Sequence, residues 1–146
     1  MKFRNFLLCW LPVFIVMFAI NGLFHGMLAS EFFDTQLQPI QTVINPSEYT
    51  NMFWIILLEI VISFVMSYFI LLPWREKISG KDAAIKGALI NLVSASSWNF
   101  ANASMFIAWS TMLSVVDMGW HIALGAFAGW LIAWTYNRFA SKHSGI

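Results

Sequence analysis

Three stretches of this sequence are too long and too apolar for a chain folded in water, and they constrain everything else. The first runs from about Phe6 to Ala29 and the second from about Met52 to Leu72, where Pro73 stops it. The third runs from about Ala83 to Trp134. A helix that crosses a bilayer needs about 20 mostly apolar residues, so the third stretch has room for two spans. Hydrocarbon offers no water to bond the backbone, which leaves helices as the form such runs take. The expectation is an all-α integral membrane protein, a four-transmembrane-helix bundle. Its helices cover about 6–29, 52–72, 83–102 and 111–136, within one domain over residues 1–146.

Composition narrows the function classes. Apolar residues make up 60% of the chain and charged residues 10%, against about 25% charged in soluble domains. A net charge of +1 gives no basic field for nucleic acid. Cys9 is the one cysteine, so no intrachain disulfide can form. Bulky Leu8 stands where a lipoprotein box needs a small residue, so lipidation at Cys9 is not expected. Met1-Lys2-Phe3-Arg4 and the run after it are similar to a secretory signal. That run exceeds the 7–15 residues of a signal core and ends without a small-x-small cleavage site, so it reads as a retained first helix.

Charge placement sets the orientation. Lys2 and Arg4 precede the first helix, Arg75, Lys77, Lys81 and Lys86 surround the second connection, and Arg138 and Lys142 follow the fourth helix. The other two connections hold Glu31, Asp34 and Glu48 and no Lys or Arg. The positive-inside rule then puts both termini and the middle connection in the cytoplasm (N-in/C-in), and an odd number of spans would misplace one basic cluster. In the first outer connection, Ser30 to Gln38 continues helix one or lies along the interface, and Asn45-Pro46-Ser47-Glu48 has the pattern of a capping box. The turn between helices three and four falls between Asn102 and Thr111, with Ser110 or Thr111 as the cap. Trp74, Trp134 and Tyr136 suit an inner aromatic belt, and Tyr49, Trp54 and Trp109 an outer one.

Small residues mark where helices touch, because lipid gives no hydrophobic push between them. Gly22 and Gly26 form one pair spaced by four, and Gly125 and Gly129 another. Ala84, Ala88 and Ala95 are expected to do the same in helix three. Contacts within the bundle are the first expectation, and contact with a second copy or another subunit the alternative.

Polar residues inside the spans carry the functional signal. Asn21 and His25 stand four apart in helix one, and Asp117 and His121 four apart in helix four. Glu59, Ser63 and Ser67 share a face of helix two, while Asn91, Asn99 and Asn102 lie on helix three. At 1.5 Å per residue, His25, Asn99 and Asp117 lie roughly 6–9 Å below the outer end, and Asn21, Glu59 and His121 roughly 12–14 Å. Helices one and four run oppositely, so His25 should sit level with Asp117 and Asn21 with His121. A carboxylate in hydrocarbon costs at least about 2.5–3.5 kcal/mol, so Glu59 and Asp117 must face the interior, a partner or a wet cavity. The cluster reads as structural glue, as a polar cavity for a ligand, ion or proton, or as a metal or haem site built on His25 and His121. The roughly 6 Å offset in depth between those histidines argues against haem, and no Cys-based or H-E-x-x-H motif is present. No cofactor is firmly implied. Ser94, Ser96 and Ser97 lie in no nucleophile motif, and catalysis is not expected.

Helices three and four carry Trp98-Asn99-Phe100-Ala101-Asn102, then Trp109, then Asp117-Met118-Gly119-Trp120-His121. This resembles a family of small bacterial inner-membrane proteins known as a domain of unknown function. Its signature is Tyr-Asp-Leu-Thr-Asn, then Trp, then Asp-x-x-Trp-Gly. Asn21 to Gly26 is similar to the family's first helix, which has an Asp before apolar and aromatic residues and Gly. Here Asn21 and Asn99 replace two aspartates and Asp117 remains, while His25 and His121 stand where the family has apolar residues or Gly. The resemblance implies a four-helix protein of the bacterial inner membrane and supplies no reaction. With no soluble domain and no catalytic motif, the first functional expectation is an accessory subunit of a larger membrane assembly, touching lipid and other subunits or a second copy. The rival is a stand-alone binding or transport protein using Asn21, His25, Glu59, Asn99, Asn102, Asp117 and His121.

Overall fold

The computed structural model describes residues 3–42, 52–72 and 77–140. These are almost all helical, with no strand among them. In chain order the helices are α1 (Phe3–Leu23), α2 (Ser30–Leu37), α3 (Met52–Leu71), α4 (Gly80–Met105) and α5 (Thr111–Thr135). A wide π turn, Phe24–Leu28, extends α1, and another, Tyr136–Ala140, extends α5. Three helical stretches are long and apolar enough to cross a membrane: Phe3–Leu28, Met52–Leu71 and Thr111–Phe139. The helix expected over 83–102 is present as α4 and is longer than expected at both ends, but it is not among those three. Its length suffices. Its composition departs, because Lys81, Asp82 and Lys86 fill its first turns and Asn91, Asn99, Asn102 and several serines follow.

Local sequence explains the helix ends. Ser79 caps α4, its hydroxyl accepting from the Asp82 amide at 3.3 Å, and Ser110 caps α5 by accepting from Leu113 at 3.2 Å. Each bond serves an N–H that a helix start leaves without an internal partner. Ser110 is one of the two caps expected from sequence, the other being Thr111. The expected Asn45-Pro46-Ser47-Glu48 cap lies outside the described residues, as do Tyr49 and Trp74. The first helix does not run on unbroken into Ser30. The Ala29 amide donates to the Phe24 carbonyl at 2.8 Å, widening the turn, and Ala29 itself leaves helical geometry (φ −120°, ψ 9°) before α2 begins.

α3 shows which solvent the chain is built for. Its buried face carries Glu59, Ser63 and Ser67, whereas Leu58, Val61, Phe64 and Phe69 are exposed. That polarity is inverted relative to a water-soluble helix and matches a bundle whose outside is lipid.

One apolar cluster joins Phe6, Cys9 and Val13 of α1, Ile70 and Leu71 of α3, Ala83 of α4, and Ile132 and Tyr136 at the end of α5. The starts of α1 and α4 therefore meet the ends of α3 and α5, so neighbouring helices alternate in direction. The Asn137 side chain fastens this end: its amide donates to the Ile78 carbonyl at 2.8 Å and its oxygen accepts from the Ile78 amide at 3.0 Å.

α4 and α5 approach at backbone distance. A Cβ added at Gly87 would overlap the Gly125 carbonyl, one at Gly125 the Gly87 carbonyl, and one at Gly129 the Ala83 carbonyl. Gly125 and Gly129 thus act as expected, with Gly87 and Ala83 as their counterparts and Ala84 close by. The expectation that Gly22 and Gly26 pack the bundle is corrected. Both are exposed, and a Cβ at either meets nothing within 4 Å among the described residues.

Candidate functional site

The half of the bundle away from the apolar cluster is organised around Asp117. Its Oδ2 accepts from Asn99 Nδ2 of α4 at 2.6 Å. Its Oδ1 lies 3.2 Å from His25 Nε2 on the π turn after α1, and 3.4 Å from His121 Nδ1 one turn along α5. Three side chains from three elements converge on one carboxylate, and hydrogen bonds to an ionised group are the strong ones.

Each partner is held in turn. His121 Nδ1 also faces the Asp117 carbonyl at 2.9 Å, and His25 Nδ1 faces the Asn21 carbonyl at 3.2 Å. Both His25 nitrogens therefore face acceptors: a neutral ring serves one of them at a time and a protonated ring serves both. Asn99 Nδ2 also reaches the Ala95 carbonyl at 2.9 Å. The wide turn matters here, because it sets the direction in which His25 leaves α1. Such turns recur at functional sites.

A second junction lies one turn deeper. Asn21 Nδ2 donates to Glu59 Oε1 at 2.7 Å, and Asn21 Oδ1 accepts from the Trp120 indole at 2.9 Å. One amide thus ties α1 to both α3 and α5. Trp120 stacks on Phe24 with ring centroids 3.9 Å apart and planes 8° from parallel. The expectation that His25 meets Asp117 agrees with this geometry. Asn21, expected level with His121, finds its partner one residue away. It bonds Trp120, the neighbouring residue, while His121 turns onto Asp117.

Between α3 and α4 this polar half opens into a cavity of about 770 Å³. Asn21, His25, Glu59, Asn102, Asp117 and His121 contribute its polar wall, and Asn99 stands behind Asp117. Its apolar wall comes from Phe33 and Leu37 of α2, Trp54, Leu58 and Ile62 of α3, Trp98 of α4, and Phe106 and Trp109 between α4 and α5. Asn102 serves this wall rather than the Asp117 network, its Nδ2 donating to the Trp98 carbonyl at 2.8 Å. Trp109 is pinned by its indole N–H donating to Ser114 Oγ at 2.9 Å. The Ser110 hydroxyl donates to Gln36, which holds α2 over the site.

The histidines are not arranged as a haem pair. Their rings lie 5.9 Å apart at 49°, and each presents a nitrogen to the same carboxylate rather than to a shared plane. Among the described residues no group of three or more His, Cys, Asp or Glu is disposed to hold a metal ion. Of the serines, Ser97 bonds back to the Val93 carbonyl at 2.8 Å, the habit of hydroxyls in membrane helices, and Ser96 donates across to Met118 Sδ of α5 at 3.4 Å.

Residues 6–134 match a family described as "Predicted membrane protein (DUF2177)". The chain belongs to this family. The match spans every element of the site, from Asn21 to His121, and the description places the chain in a membrane without giving an activity. No curated protein and no solved structure matches it.

Sequence reasoning missed Trp120 as the partner of Asn21, and Trp10 as the donor to Ser63 Oγ at 3.0 Å. The signal was available, since a buried indole N–H needs an acceptor and polar residues in apolar helices are few.

Proposed function

We propose that this protein is a four-span membrane protein, both termini cytoplasmic, that binds a small amphipathic molecule in its outer half. The carrying observation is the cavity of about 770 Å³, with apolar and aromatic walls on one side and Glu59, Asp117 and His121 on the other. Binding sites combine those features in that size range, roughly 300–1,000 Å³. A cluster that served only as glue would bring the same carboxylates together without leaving room beside them.

The topology has its own support. Arg4, Lys77, Lys81, Lys86 and Arg138 all belong to the helix ends that meet at the apolar cluster, and none lines the cavity. α4 lies against spanning α5 from Ala83 to Asn99, so it shares that helix's depth despite its polar residues. The positive-inside rule then puts the cavity in the outer leaflet of a plasma membrane, in keeping with a bacterial inner membrane. The second reading, an accessory subunit of a larger assembly, draws on Gly22 and Gly26, whose exposed face is open to a neighbouring chain.

Native mass spectrometry of the chain extracted from its own membrane in mild detergent tests both. A retained small mass that Ser94→Phe expels supports binding, because Ser94 lines the cavity. Retained protein mass supports the subunit reading. A bare chain with nothing attached overturns both.

A further inference from the structure

The two carboxylates of the cavity differ in one respect. Asp117 has both oxygens engaged, by Asn99 and by the two histidines. Glu59 has only Oε1 engaged, by Asn21, and among the described residues its Oε2 has no hydrogen-bond partner. Glu59 lines the cavity and is 5% exposed, its Oε2 itself being covered, so a donor reaches that oxygen only as the carboxyl group turns toward the cavity. A buried carboxylate oxygen requires a donor, and leaving it without one is costly.

We propose that the donor is the charged head of an organic ammonium ion whose apolar body lies against the tryptophans, a ligand class that rests on the binding reading above. No Lys or Arg lines the cavity, and His25 and His121 are the side chains of its described lining able to carry positive charge. His25 Nε2 and His121 Nδ1 are turned to Asp117 instead. The walls suit the same ligand. Trp54, Trp98 and Trp109 present indole rings, whose faces attract cations. Trp54 and Trp98 are also largely exposed at the rim, which gives a lipid-dissolved amine access from the side. An anion of the same shape would meet two carboxylates. A neutral alcohol would serve the hydrogen bond and leave the charge unanswered.

The test uses three probes of equal length and different heads, 4-phenylbutylammonium, 4-phenylbutanol and 4-phenylbutyrate. Each is equilibrated by dialysis with the full chain in lipid nanodiscs, with empty nanodiscs as the partition control. The ammonium probe should bind saturably, about tenfold or more tighter than the alcohol, as expected for a charged partner in a dry site, and the carboxylate should show no saturable binding. Glu59→Gln keeps an acceptor for Asn21 and should erase the preference for amine over alcohol. Trp98→Leu, at an exposed position, should weaken the amine about two- to five-fold. Equal binding of amine and alcohol, or tighter binding of the carboxylate, overturns the ammonium assignment and leaves the cavity as a binding site. Failure of all three probes to bind overturns the binding reading with it.

Discussion

Asp117 joins three elements of the tertiary structure. It gathers Asn99 from α4, His121 from its own helix and His25 from the turn after α1. Asp117→Asn keeps the shape but replaces an oxygen with a second donor, so one of three N–H groups loses its acceptor. The expected cost is about 1–3 kcal/mol, read as a lower unfolding midpoint in detergent, and unchanged stability would show that the network is slack. Trp120→Phe is the milder counterpart. It retains an aromatic ring against Phe24 and removes the donor to Asn21 Oδ1, for an expected loss of about 1 kcal/mol.

At the scale of the helix, the α4–α5 contact brings two backbones together. It depends on Gly87, Gly125 and Gly129, where a side chain would meet backbone and the helices would have to separate. Gly129→Ala should cost about 1–3 kcal/mol, the range for forcing atoms into a filled contact. Gly22→Ala faces open space and should leave stability unchanged or raise it by up to about 1 kcal/mol through helix propensity. Equal damage from both changes would mean that α1's glycine face is covered by another chain. The contrast also shows what a small-xxx-small pattern says. Gly22/Gly26 and Gly125/Gly129 have the same spacing, and among the described residues only the second pair has a neighbouring backbone. Spacing indicates that a close approach is possible, and the partner helix decides whether it happens.

At the scale of the whole molecule, the apolar and polar halves divide the work. The half built on Cys9, Val13, Ile70, Leu71, Ile132 and Ala133 is joined by apolar packing and borders smaller hollows of about 420 and 290 Å³, whereas the half beyond Glu59 and Asn99 is held by hydrogen bonds and opens into the cavity of about 770 Å³. Lipid-facing apolar side chains contribute nothing net between helices, so the polar half depends on directional bonds and leaves gaps where they are satisfied. If the topology is as proposed, a reporter fused after Ile146 is active only in its cytoplasmic form, and one inserted at Gln38 only in its outer form. The reverse pattern would place the cavity on the cytoplasmic side.

The sequence by itself determined that this chain is helical and lives in a membrane, because apolar runs of that length have no other stable form. It also marked Asn21, His25, Glu59, Asn99, Asp117 and His121, since a polar group in hydrocarbon must be explained wherever it stands. It reached the Ser110 cap, because that chemistry is local. Which polar group meets which was decided only by the tertiary structure. The wide turn at Phe24–Leu28 aims His25, and close approach at Gly87 fixes how α4 lies on α5. The Trp120 indole takes the Asn21 oxygen that sequence alone assigned to the level of His121. Those outcomes depend on the rotation of one helix against another. A rotation of a few tens of degrees exchanges one partner for its neighbour, and no spacing along the chain records it.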